Sequence, residues 1–281
     1  MGDKSSGRRF PFRMLVKGGS DLLFREACPE GEMAFIGVLH GRVALRIGLH
    51  QLVASEGALY FVPPSALLLA EAEGGFASVR VMTFHRSILS ENMNSLEQDL
   101  LYMLAIQARV TPLAIEREHP LYERLSAYLQ SAEEEYLAKE PCSQLIVRAS
   151  IYQMMTELLR YYSGEKRDGE RAVYHNVLRL KTVLDRIELD REGNATIAEL
   201  SGMLLVSPDH FTRIFRDSLG ITPLEYMNRV RVERALSLLA GGESVMDKIA
   251  REAGFSTRSY FYRLFRAMVG LSPLAFKKRY F

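Results

Sequence analysis

The sequence predicts an α+β chain: a small β-barrel or jelly roll, a helical hairpin, and an all-α C-terminal domain of two similar units joined by a long helix. Three observations carry that prediction. Residues 10–90 hold short runs of alternating polarity punctuated by Gly and Pro. Between Leu96 and Tyr162 the apolar residues recur at helical spacing. Near the C-terminus, Phe211-Thr212-Arg213-Ile214-Phe215-Arg216 returns 50 residues later as Phe261-Tyr262-Arg263-Leu264-Phe265-Arg266. The expected boundaries are 1–95 for the β domain, 96–162 for the helices packed with it, 163–174 for a linker and 175–281 for the C-terminal domain.

In the first segment Val43, Leu45 and Ile47 alternate with Arg42, Ala44 and Arg46, the period of a strand with one buried face. Glu56-Gly57 reads as a turn, Ala58 to Val62 as a strand stopped by Pro63-Pro64, and Val79 to Phe84 as another strand. A barrel of this size either fills its interior with side chains or holds an organic ligand among them. Phe35, Tyr60, Phe61, Leu67, Leu69, Met82 and Phe84 are the candidates for both roles. Arg42, Arg46 and Arg80 would bind a carboxylate if they faced inward and would be solvated if they faced outward.

In the middle segment Leu121, Leu125, Tyr128, Leu129 and Ala132 make one helical stripe, and Leu145, Ala149, Tyr152, Met155 and Leu159 a second. Glu133-Glu134-Glu135 reads as a solvated face, and Pro141-Cys142-Ser143 as the turn between the helices. Ser163 to Arg171 is polar, carries two glycines and lacks apolar periodicity, as a linker would.

Each repeated unit then has the same design. Phe211, Ile214 and Phe215, and later Phe261, Leu264 and Phe265, form an apolar stripe that must pack inward. The opposite stripe is Asp209, Thr212, Arg213 and Arg216 in the first copy and Ser259, Tyr262, Arg263 and Arg266 in the second. A shorter helix precedes each copy, opened by the capping box Thr196-x-x-Glu199 in the first case. Ser207-Pro208 supplies an N-cap and a first-turn proline. Leu200 to Phe211 spans 11 residues and Ile249 to Phe261 spans 12, so the second turn is one residue longer. Short helix, tight turn, longer helix with a basic outer face is a helix-turn-helix, present twice. Thr222-Pro223-Leu224-Glu225 caps a connecting helix that Gly241-Gly242 ends. At about 1.5 Å per residue, its roughly 18 residues span about 27 Å. That is comparable with the ~34 Å between successive major-groove faces of a duplex.

At 281 residues the chain can hold two domains, and its 25% charged residues and 48% hydrophobic content are those of a globular protein. The formal net charge is only +2. Residues 175–281, however, carry 17 Lys and Arg against 12 Asp and Glu, so the basic excess lies with the repeated units, as a nucleic-acid partner requires. Cys28 and Cys142 are too few for a disulfide scaffold. No apolar run approaches the ~18 residues of a membrane span, and the basic stretch from Lys4 to Arg9 lacks a following apolar core. A cytoplasmic protein without membrane contact is expected.

Residues from about 176 onward resemble the DNA-binding domain of AraC/XylS-type bacterial transcription regulators. The likeness rests on Ser207-Pro208, Arg213-x-Phe215, Gly220, Arg231-x-x-x-Ala235-x-x-Leu238-Leu239 and Ile249-Ala250-x-x-Ala253-Gly254-Phe255. It continues through Ser259-Tyr260-Phe261-x-Arg263-x-Phe265-Arg266 and Gly270-x-Ser272-Pro273. Gly41 through Pro64 is similar to the cupin-like jelly roll that often precedes such a domain. The resemblance implies a sequence-specific regulator whose two recognition helices enter adjacent major grooves of double-stranded DNA. It assigns base contacts to Asp209, Thr212 and Arg213 in the first helix, and to Arg258, Ser259, Tyr262 and Arg263 in the second. Ser207, Arg216 and Arg266 join the DNA-binding set at the ends of those helices, where phosphate is the expected contact for the arginines. Asp209 departs from the usual neutral residue; it can accept from a cytosine amino group but repels phosphate.

The same resemblance implies a homodimer formed through the helical hairpin, which could equally pack on its own barrel. It also implies a small-molecule effector, and RNA polymerase as partner if the protein is an activator. The alternative is regulation by a protein partner or by concentration alone. Cupin enzymes bind metal through paired histidines, but His40 and His50 lie ten apart, no His-x-His pair occurs, and Pro63-Pro64-Ser65-Ala66 has no histidine. No metal, no cofactor and no enzymatic activity are therefore expected.

Overall fold

The computed structural model describes residues 11–90, 93–162 and 168–281. Two antiparallel sheets form the N-terminal half. The five-stranded sheet runs β1 (Phe12–Gly19), β8 (Ala77–His85), β3 (Glu32–His40), β6 (Leu59–Val62), β9 (Leu113–Ile115). The four-stranded sheet runs β2 (Leu23–Ala27), β7 (Leu67–Ala72), β4 (Arg42–Ile47), β5 (His50–Ser55). Helices follow as α1 (Ser87–Ser90), α2 (Ser95–Val110), α3 (Tyr122–Ala138) and α4 (Ser143–Tyr162). The rest of the chain is helical: α5 (Asp168–Leu189), α6 (Ile197–Met203), α7 (Pro208–Leu219), α8 (Pro223–Ala240), α9 (Met246–Glu252), α10 (Arg258–Val269) and α11 (Pro273–Tyr280).

The two-residue period of the strands divides their side chains between three cores. Ile36, Val38, Val43, Leu45, Tyr60, Val62, Leu68, Val79 and Val81 meet between the sheets. Met33, Phe35, Leu59, Phe61, Met82 and Phe84 point the other way, into a core shared with α2, α3 and α4. Leu67 and Leu69, on the outer face of the four-stranded sheet, pack against the second repeated unit. The seven candidate ligand-lining residues therefore line no common interior. Four face the helices, Tyr60 fills the sandwich, and two support the C-terminal domain. Sheets covered on both faces explain why β6 is buried throughout, which alternation alone does not predict.

Arg42, Arg46 and Arg80 all leave the sandwich interior. Arg42 is exposed beside Glu73. Arg80 meets Glu133 of α3 at 2.5 Å, so Glu133 is not part of a solvated face: covering a sheet arginine with a helix demands a charge partner there. Arg46 is buried against the C-terminal domain. The stripe expected on α4 holds in part: Met155 and Leu159 are buried and Tyr152 is half-buried against the same core, while Leu145 and Ala149 are exposed. Val147, Ile151, Met154, Met155 and Leu158 are buried, whereas Leu145 is 62% exposed. Both lines have helical spacing, so periodicity marks the helix without choosing its inner face.

Of the linker expected over 163–174, residues 163–167 lie outside the described residues, and α5 already begins at Asp168. Glu170-Arg171-Ala172 are good helix formers and lead into the stripe Leu180, Val183, Leu184 and Ile187, which packs on the first repeated unit. Among the described residues no helix is long and apolar enough to cross a membrane.

Candidate nucleic-acid interface

The recognition helices of the two repeated units are capped alike, although the short helix α6 has a side-chain cap at Thr196 and α9, entered from Val245, has none. Ser207 accepts from the His210 amide at 3.3 Å to open α7, and Thr257 accepts from the Tyr260 amide at 3.3 Å to open α10. Each helix ends in a left-handed glycine, Gly220 (φ 76) or Gly270 (φ 86), whose amide bonds to the carbonyl of Arg216 or Arg266. Thr222 and Ser272 then cap the next helices, with Pro223 and Pro273 in their first turns. Thr196 caps α6 through the Glu199 amide, while the Glu199 carboxylate goes to Arg186 at 2.8 Å. A reciprocal capping box occurs instead at Asn94 and Glu97 of α2. Four residues separate α6 from α7 and five separate α9 from α10.

Phe211 and Phe215 are fully buried on the inner side of α7, where Phe215 meets Tyr226 edge-on at 5.7 Å. Phe261 and Phe265 repeat this on α10, with Phe265 against Phe276 at 5.8 Å. These anchors fix the rotation of each helix and hence the side it presents to solvent. On α7, Asp209, Arg213 and Arg216 are exposed, and half-buried Thr212 bonds its hydroxyl back to the Pro208 carbonyl at 2.9 Å. On α10, Arg258, Ser259, Arg263 and Arg266 are exposed and Tyr262 is half-buried. Ser207 is exposed at the start of α7.

The arginines differ in what already holds them. Arg213, Arg216 and Arg266 have no ion-pair partner among the described residues. Arg258 pairs with Asp247 of α9 at 3.2 Å and stacks 5.3 Å from the Tyr262 ring, and the Tyr262 hydroxyl and Asp247 raise its affinity for a proton. Arg263 lies 5.4 Å from the Tyr260 ring. Stacking restricts a long side chain at little desolvation cost, leaving the guanidinium fork available for a base edge.

Two features of this region were not visible in the sequence. The turn into α7 holds Leu205 at φ 55 with 93% of its surface exposed, where the second unit has Gly254. Gly193 and Gly254 touch so closely that a Cβ on Gly193 would lie 2.1 Å from the Gly254 carbonyl oxygen, and Arg231 donates to the Gly193 carbonyl at 3.0 Å. The motif arginine Arg231 thus ties the entry of the first unit to the turn of the second.

Between the domains Arg109 of α2 reaches Glu188 of α5 at 2.5 Å and Glu233 of α8 at 3.0 Å, while the Tyr226 hydroxyl donates to Glu188 at 2.7 Å. Burial, opposed by Arg109 and reinforced by Glu188, pushes the Glu233 carboxyl up to about 7. Beside this cluster lies a cleft of about 1470 Å³, lined by α2, α5 and α8 among others and including Arg86, Tyr102, Lys181, Glu188 and Arg234. Among the described residues no group of three or more His, Cys, Asp or Glu is placed to hold a metal ion.

Residues 200–279 match the family model of a helix-turn-helix domain. The probable transcriptional regulator LumQ of Photobacterium leiognathi is 33% identical over 103 residues, covering 36% of this chain and 42% of its own length. The HTH-type transcriptional regulator Rv1931c of Mycobacterium tuberculosis is 37% identical over 91 residues, 32% of this chain and 35% of its own. The arabinose operon regulatory protein of Escherichia coli is 30% identical over 86 residues, 31% of this chain and 30% of its own. The chain thus spans less than half the length of these relatives. The crystal structure of ToxT from Vibrio cholerae O395 superposes over 96% of this chain and 98% of its own with a TM-score of 0.51 at 16% identity, a likeness of fold.

Proposed function

From a C-terminal domain of the AraC helix-turn-helix type, we propose that this chain is a sequence-specific, DNA-binding transcription regulator. One observation carries the reading: two recognition helices anchored by equivalent buried phenylalanines each present an exposed arginine, Arg213 or Arg263, at the same place in the repeat. Thr212, Arg258, Ser259, Tyr262 and, with less electrostatic favour, Asp209 complete the base-reading set. Arg216 and Arg266 lie one turn on, toward the phosphates, and Ser207 lies at the start of α7. α8, 18 residues long, spaces the two helices.

Selection of sequences from a randomised duplex pool by the full chain tests this. Arg263→Ala should cost about 1–3 kcal/mol at one base position and Arg216→Ala should weaken all sequences alike. A chain that enriches no sequence refutes the proposal.

The reading extends to a cytoplasmic homodimer that answers to a small-molecule effector and assigns it no catalytic step. The interdomain cleft supports the effector, since occupancy there would bear on both domains at once. Exposed Tyr136, Leu137, Leu145 and Ile146 near the α3–α4 turn support a second copy packing on the hairpin. RNA polymerase enters as partner if bound DNA is activated. A metabolite screen by thermal shift separates an effector from control by a protein partner or by concentration, and sedimentation at low concentration tests the dimer.

A further inference from the structure

A transverse row of side chains crosses the outer face of the four-stranded sheet. Arg25 of β2 is in register with Leu69 of β7, Leu69 with Arg46 of β4, and Arg46 with Gln51 of β5. The period of two puts all four on the face turned to the second helix-turn-helix unit. There the two arginines meet the C-terminal ends of two helices. Arg46 Nη2 donates at 2.9 Å to the carbonyl of Val269, the last residue of α10, and Arg25 Nη1 donates to the carbonyl of Tyr280, the last of α11. Arg46 also lies 5.8 Å from the Phe276 ring, Arg25 lies 5.6 Å from that of Phe281, and Leu69 sits in one core with Phe276.

Helix C-termini carry unsatisfied carbonyls and a partial negative charge, so a guanidinium is a fitting partner for them. Arg46 is only 6% exposed, yet no carboxylate pairs with it among the described residues; Gln51 Oε1 at 2.9 Å and the helix end are its acceptors. The first unit has no equivalent: among the described residues no side chain of the β sandwich hydrogen-bonds to α7.

We propose that Arg46 is a positioning residue for DNA reading, through which the N-terminal sheet sets the orientation of the second recognition helix and not of the first. This rests on the DNA-binding reading above. Arg258 stands about 16 Å along α10 from Val269, at about 1.5 Å per residue. A tilt of about 10° at the gripped end would therefore displace the base-reading end by about 3 Å, more than a bidentate contact tolerates. Because no carboxylate holds Arg46, its guanidinium regains water when the contact opens, so a change in the sheet can release α10 selectively.

Duplexes selected by the full chain from a randomised pool serve as the probe, with Arg213→Ala and Arg263→Ala marking the half read by each helix. In Arg46→Gln the preference for the selected bases should fall at least threefold in the α10 half and stay unchanged in the α7 half. Arg46→Lys, whose ammonium can still donate to the Val269 carbonyl, should recover part of it. If Arg46→Gln does not fold, Gln51→Ala, at the exposed edge of the row, should give the same one-sided loss at smaller size. Equal loss in both halves, or none in either, overturns the inference while leaving DNA binding intact. Failure of the unsubstituted chain to enrich any sequence overturns both.

Discussion

Glu233→Gln should make the protein more stable at neutral pH, although it removes one side of a buried ion pair. Arg109 faces two carboxylates, Glu188 and Glu233, with Arg229 farther off and Tyr226 bonded to Glu188. Two carboxylates therefore share the one guanidinium that touches both, and Glu233 is the more buried of the two, Glu188 being 30% exposed. Glu233 responds with a carboxyl raised from an ordinary 4.5 to about 7 by burial. For an acid raised in the folded state, the unfolded chain releases its proton first. Stability is thus full below about pH 4.5 and is lost as pH rises through about 7. At about 1.4 kcal/mol per pH unit the window from 4.5 to 7 is worth up to about 3 kcal/mol. Glutamine keeps an oxygen to accept from Arg109 Nε but cannot ionise, so its stability should not fall across that window. Thermal midpoints from pH 4.5 to 8 should coincide at the acid end and diverge by up to roughly 6–12 °C at the other, with the variant higher. Parallel profiles, or a variant less stable at pH 8, would show that Glu233 is ionised and needed, and the shared-guanidinium argument would fall.

Other expectations follow from single contacts. Leu205→Gly should raise stability by up to about 1 kcal/mol in denaturant titrations, since a left-handed leucine exposed to water gives up strain and no packing; a loss would mean that Leu205 contacts something. Phe211→Ala and Phe261→Ala should each cost about 3–5 kcal/mol, and a cost below about 1 kcal/mol in either would contradict their place as anchors. Gly193→Ala should destabilise by more than about 1 kcal/mol through its positive φ alone, with the clash at Gly254 adding to it; a wild-type midpoint would rule out that close approach.

Legibility in the sequence followed how local each determinant was. The caps at Ser207 and Thr222, the glycine end of α8 at Gly241, and the phenylalanine stripes act within one or two turns, so spacing sufficed to find them. The same spacing put Leu145 and Ala149 on the buried face of α4 with Met155 and Leu159, and it missed that the face turns away from the first two, because that depends on which surface the hairpin meets. Alternation puts Phe61 and Tyr60 on opposite faces of one strand, but it could not tell that both faces are covered, each by a core of its own.

By itself the sequence determined the duplicated helix-turn-helix, its spacer and the arginines it lifts into solvent, because these follow from helical periodicity and end chemistry repeated at a fixed offset. Only the tertiary structure decided the fate of the sheet arginines and of Arg109, Glu188 and Glu233. A lone charged residue in a strand or helix reads as solvated until another element covers it. Which element does so is fixed by contacts between residues as far apart as Arg25 and Tyr280.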